Sequence, residues 1–172
     1  MLKLRLKTQK TSLESNAVIY YKTPIGTVKI NGDEKGIQFI SFLDKNKETS
    51  KSIPSFLKEC VSQLDDYFAG TRTTFDLKLN LKGTEFQKKV WKELLTIPYN
   101  TTRTYLEQTK AIGDVKAIRA VASANGKNPI AIIIPCHRVI GSDGSLTGYA
   151  SGLWRKKWLL DHENPVKQQS LF

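Results

Sequence analysis

The chain of 172 residues has two cysteines, two histidines, one methionine and no long apolar run. Each shortage excludes something. Neither Cys60 nor Cys136 has a second cysteine at zinc-finger or redox-pair spacing, and His137 and His162 are the only histidines, so no structural metal is expected. A disulfide framework is equally unexpected at this length and cysteine content. No stretch approaches the roughly 18 apolar residues that cross a bilayer, and "MLKLRLKTQK" lacks the apolar core of a secretory signal. The expectation is a soluble, cytoplasmic protein of one or two domains.

Acidic residues are also few, 16 against 27 Lys and Arg, which leaves a net charge of +11. Residues 81–172 hold 14 basic and 7 acidic side chains, residues 1–80 hold 13 and 9. A partner with a phosphate backbone fits this excess, and so does a lysine-rich composition unrelated to any ligand.

What is present falls into two parts. "AVIYYKTPIGTVKINGDEKGIQFISFL" reads as short β-runs broken at Pro24-Ile25-Gly26 and at Asn31-Gly32, a small antiparallel sheet. "IPSFLKECVSQLDDYFAG" then sets Phe56, Leu57, Cys60, Leu64, Tyr67 and Phe68 at helical spacing, with Gly70 as terminator and Cys60 on the apolar stripe. After an alternating segment the pattern turns helical, so the boundary is placed near Asn80 to Gly83, giving domains 1–80 and 81–172. Thr84 with Gln87 and Thr104 with Glu107 have capping-box spacing, and Phe86, Val90, Leu94 and Ile97 form one helix face. Gly113 and Asp114 end one short helix and start another, running from about Val115 to Asn125, in the shape of a helix-turn-helix.

That second helix is small-sided, with Ala117, Ala120, Ala122, Ser123 and Ala124 between Lys116 and Arg119. Such a helix can approach a duplex groove closely, or pack tightly on its own domain; Arg119 is then a finger or a surface ion-pair residue. In "NPIAIIIPCHRVIGSDG", residues 130–134 read as a buried strand ended by Pro135. Cys136 follows it. A thiol of ordinary pKa near 8.5 is a poor nucleophile, and His137 or Arg138 offers a base or a positive charge. Adjacent residues on an extended chain face opposite ways, so pairing Cys136 with His137 needs a tight turn or a bridging water. The orienting acid would be Asp161 or Glu163, and a purely structural Cys-His pair stays open. In "GSDGSLTGYASGLW" Tyr149 either meets a flat ligand or packs inward. "LWRKKWLLDHE" reads as a helix with Leu153, Trp154, Trp158 and Leu159 toward the core and Arg155, Lys156 and Lys157 solvated.

Taken together, "GTEFQKKVWKELLTIPYNTTRTY", "AIRAVASANGKNP", "IPCHRV", "GYASGL" and "KKWLLDHE" resemble the O6-alkylguanine-DNA alkyltransferases, in the order and spacing of that family. The resemblance implies an α+β fold, a ribonuclease H-like sheet-and-helix unit joined to a mainly helical domain with a helix-turn-helix. It implies direct-reversal repair, with one alkyl group moved from O6-alkylguanine in double-stranded DNA to Cys136, no cofactor, and a monomer that acts once. His137 would take the thiol proton through a water and Glu163 would orient His137. The helix-turn-helix would enter the minor groove, Ala120 and Ser123 allowing close contact and Arg119 filling the gap left by a flipped base. Tyr105 would assist base rotation, Tyr149 and Ala150 would stand at the pocket wall, Asn128 would brace the turn, and Val139 would offer its carbonyl to the base. Ala131 and Asn125 stand at positions that vary among relatives and bear on alkyl size. A non-catalytic lesion-binding protein and a thiol hydrolase are the competing readings. "VKQQSLF" has a Gln168-to-Leu171 spacing faintly like a sliding-clamp motif, or is a frayed end.

Overall fold

The computed structural model describes residues 15–166, so the clamp-like spacing lies outside the described residues. Three antiparallel strands open the chain: β1 (Ala17–Thr23), β2 (Gly26–Asp33) and β3 (Gly36–Phe42) in the order β1-β2-β3. Ile19 pairs with Ile30 and Ile30 with Ile40, so one face of the sheet is a row of buried β-branched residues. Pro24 and Ile25 form the first turn as expected. Asn31-Gly32 does not form the second. These two residues lie inside β2 at a β-bulge, and the chain reverses at Glu34-Lys35. Asp33 decides this: its carboxylate accepts from Lys35 N at 2.8 Å and from Gln38 Nε2 at 2.6 Å, closing the turn with side-chain bonds. Gly36 follows at φ 141°, and a Cβ there would stand 2.6 Å from Lys78 O.

Helix α1 (Ser55–Phe68) covers the sheet with Leu57, Cys60, Leu64 and Tyr67 buried. The open edge of β3 then holds two later segments. Ile37 donates to Lys78 O and accepts from Asn80 N, and Ile40 donates to Pro129 O and accepts from Ala131 N, all at 2.8–2.9 Å. The first part is thereby tied to the loop that precedes Cys136.

The second part is helical. α2 (Glu85–Leu94) and α3 (Tyr105–Ile112) begin at Thr84 and Thr104, and both capping boxes form in full. Phe86 departs from its predicted face and is partly exposed, while Val90, Leu94 and Ile97 are buried. Two-residue strands β4 (Arg103–Thr104) and β5 (Val139–Ile140) pair in parallel. Gly113 caps α3 in the left-handed region, and Asp114 caps a 3-10 turn (Val115–Ala117) that leads into α4 (Ile118–Gly126). The last helix is α5 (Leu153–Glu163). One contiguous cluster of buried side chains runs through both parts, from Ile19 to Leu159. Among the described residues no helix is long and apolar enough to cross a membrane.

Two expectations fail in ways that shape the site. Residues 130–134 are buried but are not a strand: Ile130 makes one bridge to Ile40, and 131–133 form a turn in which Ile132 has φ 75°. Burial on all sides gives the same apolar run whichever backbone is adopted. α5 is also rotated relative to its predicted stripe. Trp154 is 56% exposed and Leu153 is exposed, whereas Lys156 is completely buried.

Candidate functional site

Asn128 builds the turn before Cys136. Its Oδ1 accepts from Ile130 N at 2.9 Å, and its Nδ2 donates to Ile134 O at 2.7 Å and to Cys136 Sγ at 3.1 Å. Pro135 then leads into a single 3-10 turn, Cys136–Arg138. Three residues per turn send successive side chains about 120° apart. Cys136 therefore reaches a cavity while its two neighbours point into the protein, and the turn does not bring the thiol onto His137, whose Nδ1 makes no hydrogen bond.

His137 is fully buried, and its Nε2 meets Glu163 Oε1 at 2.7 Å. Glu163 is the acid of this site; Asp161 instead pairs with exposed Lys157 at 2.5 Å. Arg138 is also buried. Its Nε donates to Glu163 Oε2 at 2.9 Å, Nη2 to Oε1 at 3.0 Å and Nη1 to Ile97 O at 2.7 Å. Burial and these bonds hold the Arg138 guanidinium inside the protein. Glu163 also accepts from Tyr67 Oη at 2.8 Å and from Asn100 N at 3.3 Å.

These contacts fix the protonation states. Burial acts to raise the Glu163 carboxyl, but hydrogen bonds and charge from His137 and Arg138 outweigh it and hold the group well below the usual carboxylate range. Burial lowers His137, against the pull of Glu163. An ionised carboxylate only accepts, so Nε2 carries the imidazole proton and Nδ1 keeps its lone pair. That Nδ1 is buried and makes no hydrogen bond. Burial pushes the Cys136 thiol up, while the Asn128 amide and the Lys156 charge pull it back.

Lys156 is the group that sequence reasoning missed. Its Nζ donates to Thr147 O at 3.0 Å and to Gly148 O at 3.2 Å, and burial pushes it down to about 8, opposed by Cys136. The interruption of the apolar stripe by a basic residue at 156 was its only signal. Nothing in the sequence links Tyr67 to Glu163, and its place on the apolar stripe of α1 indicates core packing alone.

A cavity of about 720 Å³ lies in front of Cys136, lined also by Tyr105, Arg119, Tyr149 and Ala150. Tyr105 donates to Thr147 O at 2.8 Å, and Tyr149 Oη is buried without a hydrogen bond. Arg119 is exposed at the rim with no ion pair among the described residues. Ala120 and Ser123 lie on the exposed face of α4 outside the cavity. Ala124 serves internal packing, its carbonyl accepting from Trp91 Nε1 at 2.8 Å, and Ala117 packs half-buried against the core. Asn128 supports the cavity from behind, and Val139 is buried where β5 meets Arg103 of β4. Ala131 is buried, and Asn125 exchanges amide hydrogen bonds with Gln108 at 2.7 and 2.9 Å.

Fold and site define a class: a sheet-and-helix unit joined to a helical unit in which a helix-turn-helix stands over a cysteine-histidine-glutamate cluster. Two family models match the chain, the ribonuclease-like domain of 6-O-methylguanine DNA methyltransferase at residues 17–81 and its DNA binding domain at 85–165. The chain belongs to the 6-O-methylguanine DNA methyltransferase family. It is 52% identical over 155 residues to the methylated-DNA–protein-cysteine methyltransferase of Methanosarcina barkeri, covering 84% of this chain and 97% of that protein. The Mycobacterium tuberculosis protein of the same name is 48% identical over 153 residues, covering 85% and 93%. The crystal structure of Mycobacterium tuberculosis O6-methylguanine methyltransferase superposes with a TM-score of 0.78 at 45% identity, covering 88% of this chain and 94% of that one. A structure of the tuberculosis protein in complex with DNA gives 0.78 at 47% identity, covering 85% and 91%.

Proposed function

We propose that this chain repairs O6-alkylguanine in duplex DNA by moving the alkyl group, once, to Cys136. The observation that carries the reading is the position of Cys136: on the floor of a cavity rimmed by Arg119 and backed by buried His137 and Glu163. In the proposed step the thiol proton passes by way of a water to His137 Nδ1. The sulfur pair bonds to the alkyl carbon, the carbon–O6 bond breaks, and its electrons return to guanine, which takes up a proton. A thioether has no route back to a thiol under these groups, so one molecule acts once.

α4 approaches the minor groove with its face of small residues, where Ala120 and Ser123 permit contact and Arg119 fills the gap of the extruded base. Tyr149 and Ala150 wall the base within the cavity; Tyr105, its hydroxyl released from the Thr147 carbonyl, donates to the base as it leaves, and Val139, outside the cavity lining, offers its carbonyl to the amino group. The unpaired Tyr149 Oη supports a ligand partner there. The division near residue 81 separates this apparatus from the sheet. The proposed step draws on residues of a single chain and requires no second copy.

Mass spectrometry of the intact protein after incubation with DNA containing O6-methylguanine tests the reading. The expected product carries one added methylene, on the Cys136 peptide, with an end point of one per molecule and none in Cys136→Ala. Lesion binding without a covalent product would support the non-catalytic reading, and repeated turnover would overturn the single-use mechanism.

A further inference from the structure

We infer that Tyr67, from the helix packed on the N-terminal sheet, is a positioning residue for alkyl transfer, setting through its hydroxyl how strongly Glu163 draws on His137. The inference rests on the reading of Cys136 as acceptor and His137 as its base.

Three donors converge on Glu163 Oε1: His137 Nε2 at 2.7 Å, Tyr67 Oη at 2.8 Å and Arg138 Nη2 at 3.0 Å. Arg138 must stay bound because Glu163 is its only buried counter-charge among the described residues. Tyr67 is different. Its ring is completely buried among Phe68, Phe75, Tyr99 and His162, a setting that a phenylalanine ring would fill equally well. Packing therefore does not require the hydroxyl. The hydroxyl is held on the very oxygen that receives the His137 proton, by a residue 96 positions away in sequence.

A phenol donating to a carboxylate draws charge from the oxygen it binds. With that charge partly spent, Oε1 holds His137 in place without driving it to the imidazolium form, so Nδ1 stays free to accept the thiol proton. The titratable groups facing this pair are Tyr67 from α1, Tyr99 after α2, Cys136 and Arg138 from the 3-10 turn, Tyr149 from the loop before α5, and Lys156 from α5. Of these Tyr67 is the neutral donor that shares Oε1 with His137. Its position also gives the N-terminal unit a part in the chemistry, although no described residue of that unit lines the cavity of about 720 Å³.

The test is the single-turnover rate of label transfer from O6-methylguanine DNA at saturating DNA, measured from pH 5 to 9 for wild type and Tyr67→Phe. Loss of the donor makes Oε1 a stronger partner for the imidazolium. The acid limb of the profile is expected to move to higher pH by about half a unit or more, with DNA affinity unchanged. A profile superimposed on wild type, with only a lower melting temperature, overturns the inference. If Tyr67→Phe does not fold, 3,5-difluorotyrosine at position 67 keeps the ring and strengthens the donor; the limb should then move to lower pH, and an unmoved limb overturns the inference. Absence of transfer to Cys136 in wild type marks failure of the functional reading instead.

Discussion

The side-chain amide of Asn128 is hydrogen-bonded to Cys136 Sγ at 3.1 Å and, through the same nitrogen, to the Ile134 carbonyl at 2.7 Å. One residue thus closes the turn after α4 and touches the sulfur that the turn presents. Position and reactivity of the thiol are set together.

Asn128→Ala separates the two effects. It leaves the buried Ile130 N without its acceptor, at a cost of about 1–3 kcal/mol, whereas Ile134 O keeps the hydrogen bond from Cys136 N at 2.8 Å. Urea denaturation should show a loss of about 1–3 kcal/mol. The amide also lowers the Cys136 thiol, so the pH midpoint of iodoacetamide alkylation should rise. A lower stability with an unmoved midpoint would remove Asn128 from the chemistry.

Ile132 poses a contest between backbone and core. Its φ of 75° costs a β-branched residue about 1–2 kcal/mol, which glycine would relieve. Its side chain is also buried, and deleting a buried isoleucine costs about 2–5 kcal/mol. Burial wins, so Ile132→Gly should be less stable than wild type by about 2 kcal/mol in denaturant melts, despite the better backbone.

The same residue shows what the sequence could reveal. Helix starts at Thr84 and Thr104 were legible because a capping box is local chemistry, four residues satisfying each other. The order of Cys136, His137 and Glu163 was legible through resemblance to a family whose motifs are short and separated. Residues 130–134 were not, because a run buried from every side carries no periodicity, and its turn is dictated by Asn128 two positions earlier. Lys156 and Tyr67 were illegible for a related reason. Their partners, the 147–148 carbonyls and Glu163, are met only after the chain has folded.

Lys156→Gln tests whether the buried ammonium serves the sulfur. Glutamine keeps a donor for the loop carbonyls but removes the charge that pulls the Cys136 thiol down. Transfer should slow by roughly tenfold at pH 7, because less of the thiol is ionised without the neighbouring charge. Lys156 itself titrates at about 8, so its contribution fades as pH rises through that value. The rate ratio of wild type to variant should narrow above pH 8. A constant ratio across that pH range would assign Lys156 to loop structure alone.

Acid stability should fall in two windows that belong to different residues. His137 is lowered by burial from about 6.5, so as pH drops below that value the unfolded chain binds a proton that the folded chain refuses, and stability falls. Glu163 is held below the carboxylate range, so its contribution is complete above about pH 4.3 and is lost as pH drops further, when the unfolded chain takes up the proton first. Both slopes have the same sign, stability rising with pH, but they lie about two pH units apart. Denaturant melts between pH 7 and 3 should resolve them. Glu163→Gln should be less stable at pH 7, because Arg138 loses its buried counter-charge, yet flatter below pH 4.5 than wild type. Parallel curves for the two proteins in that lower window would mean that other carboxylates, not Glu163, carry the acid transition.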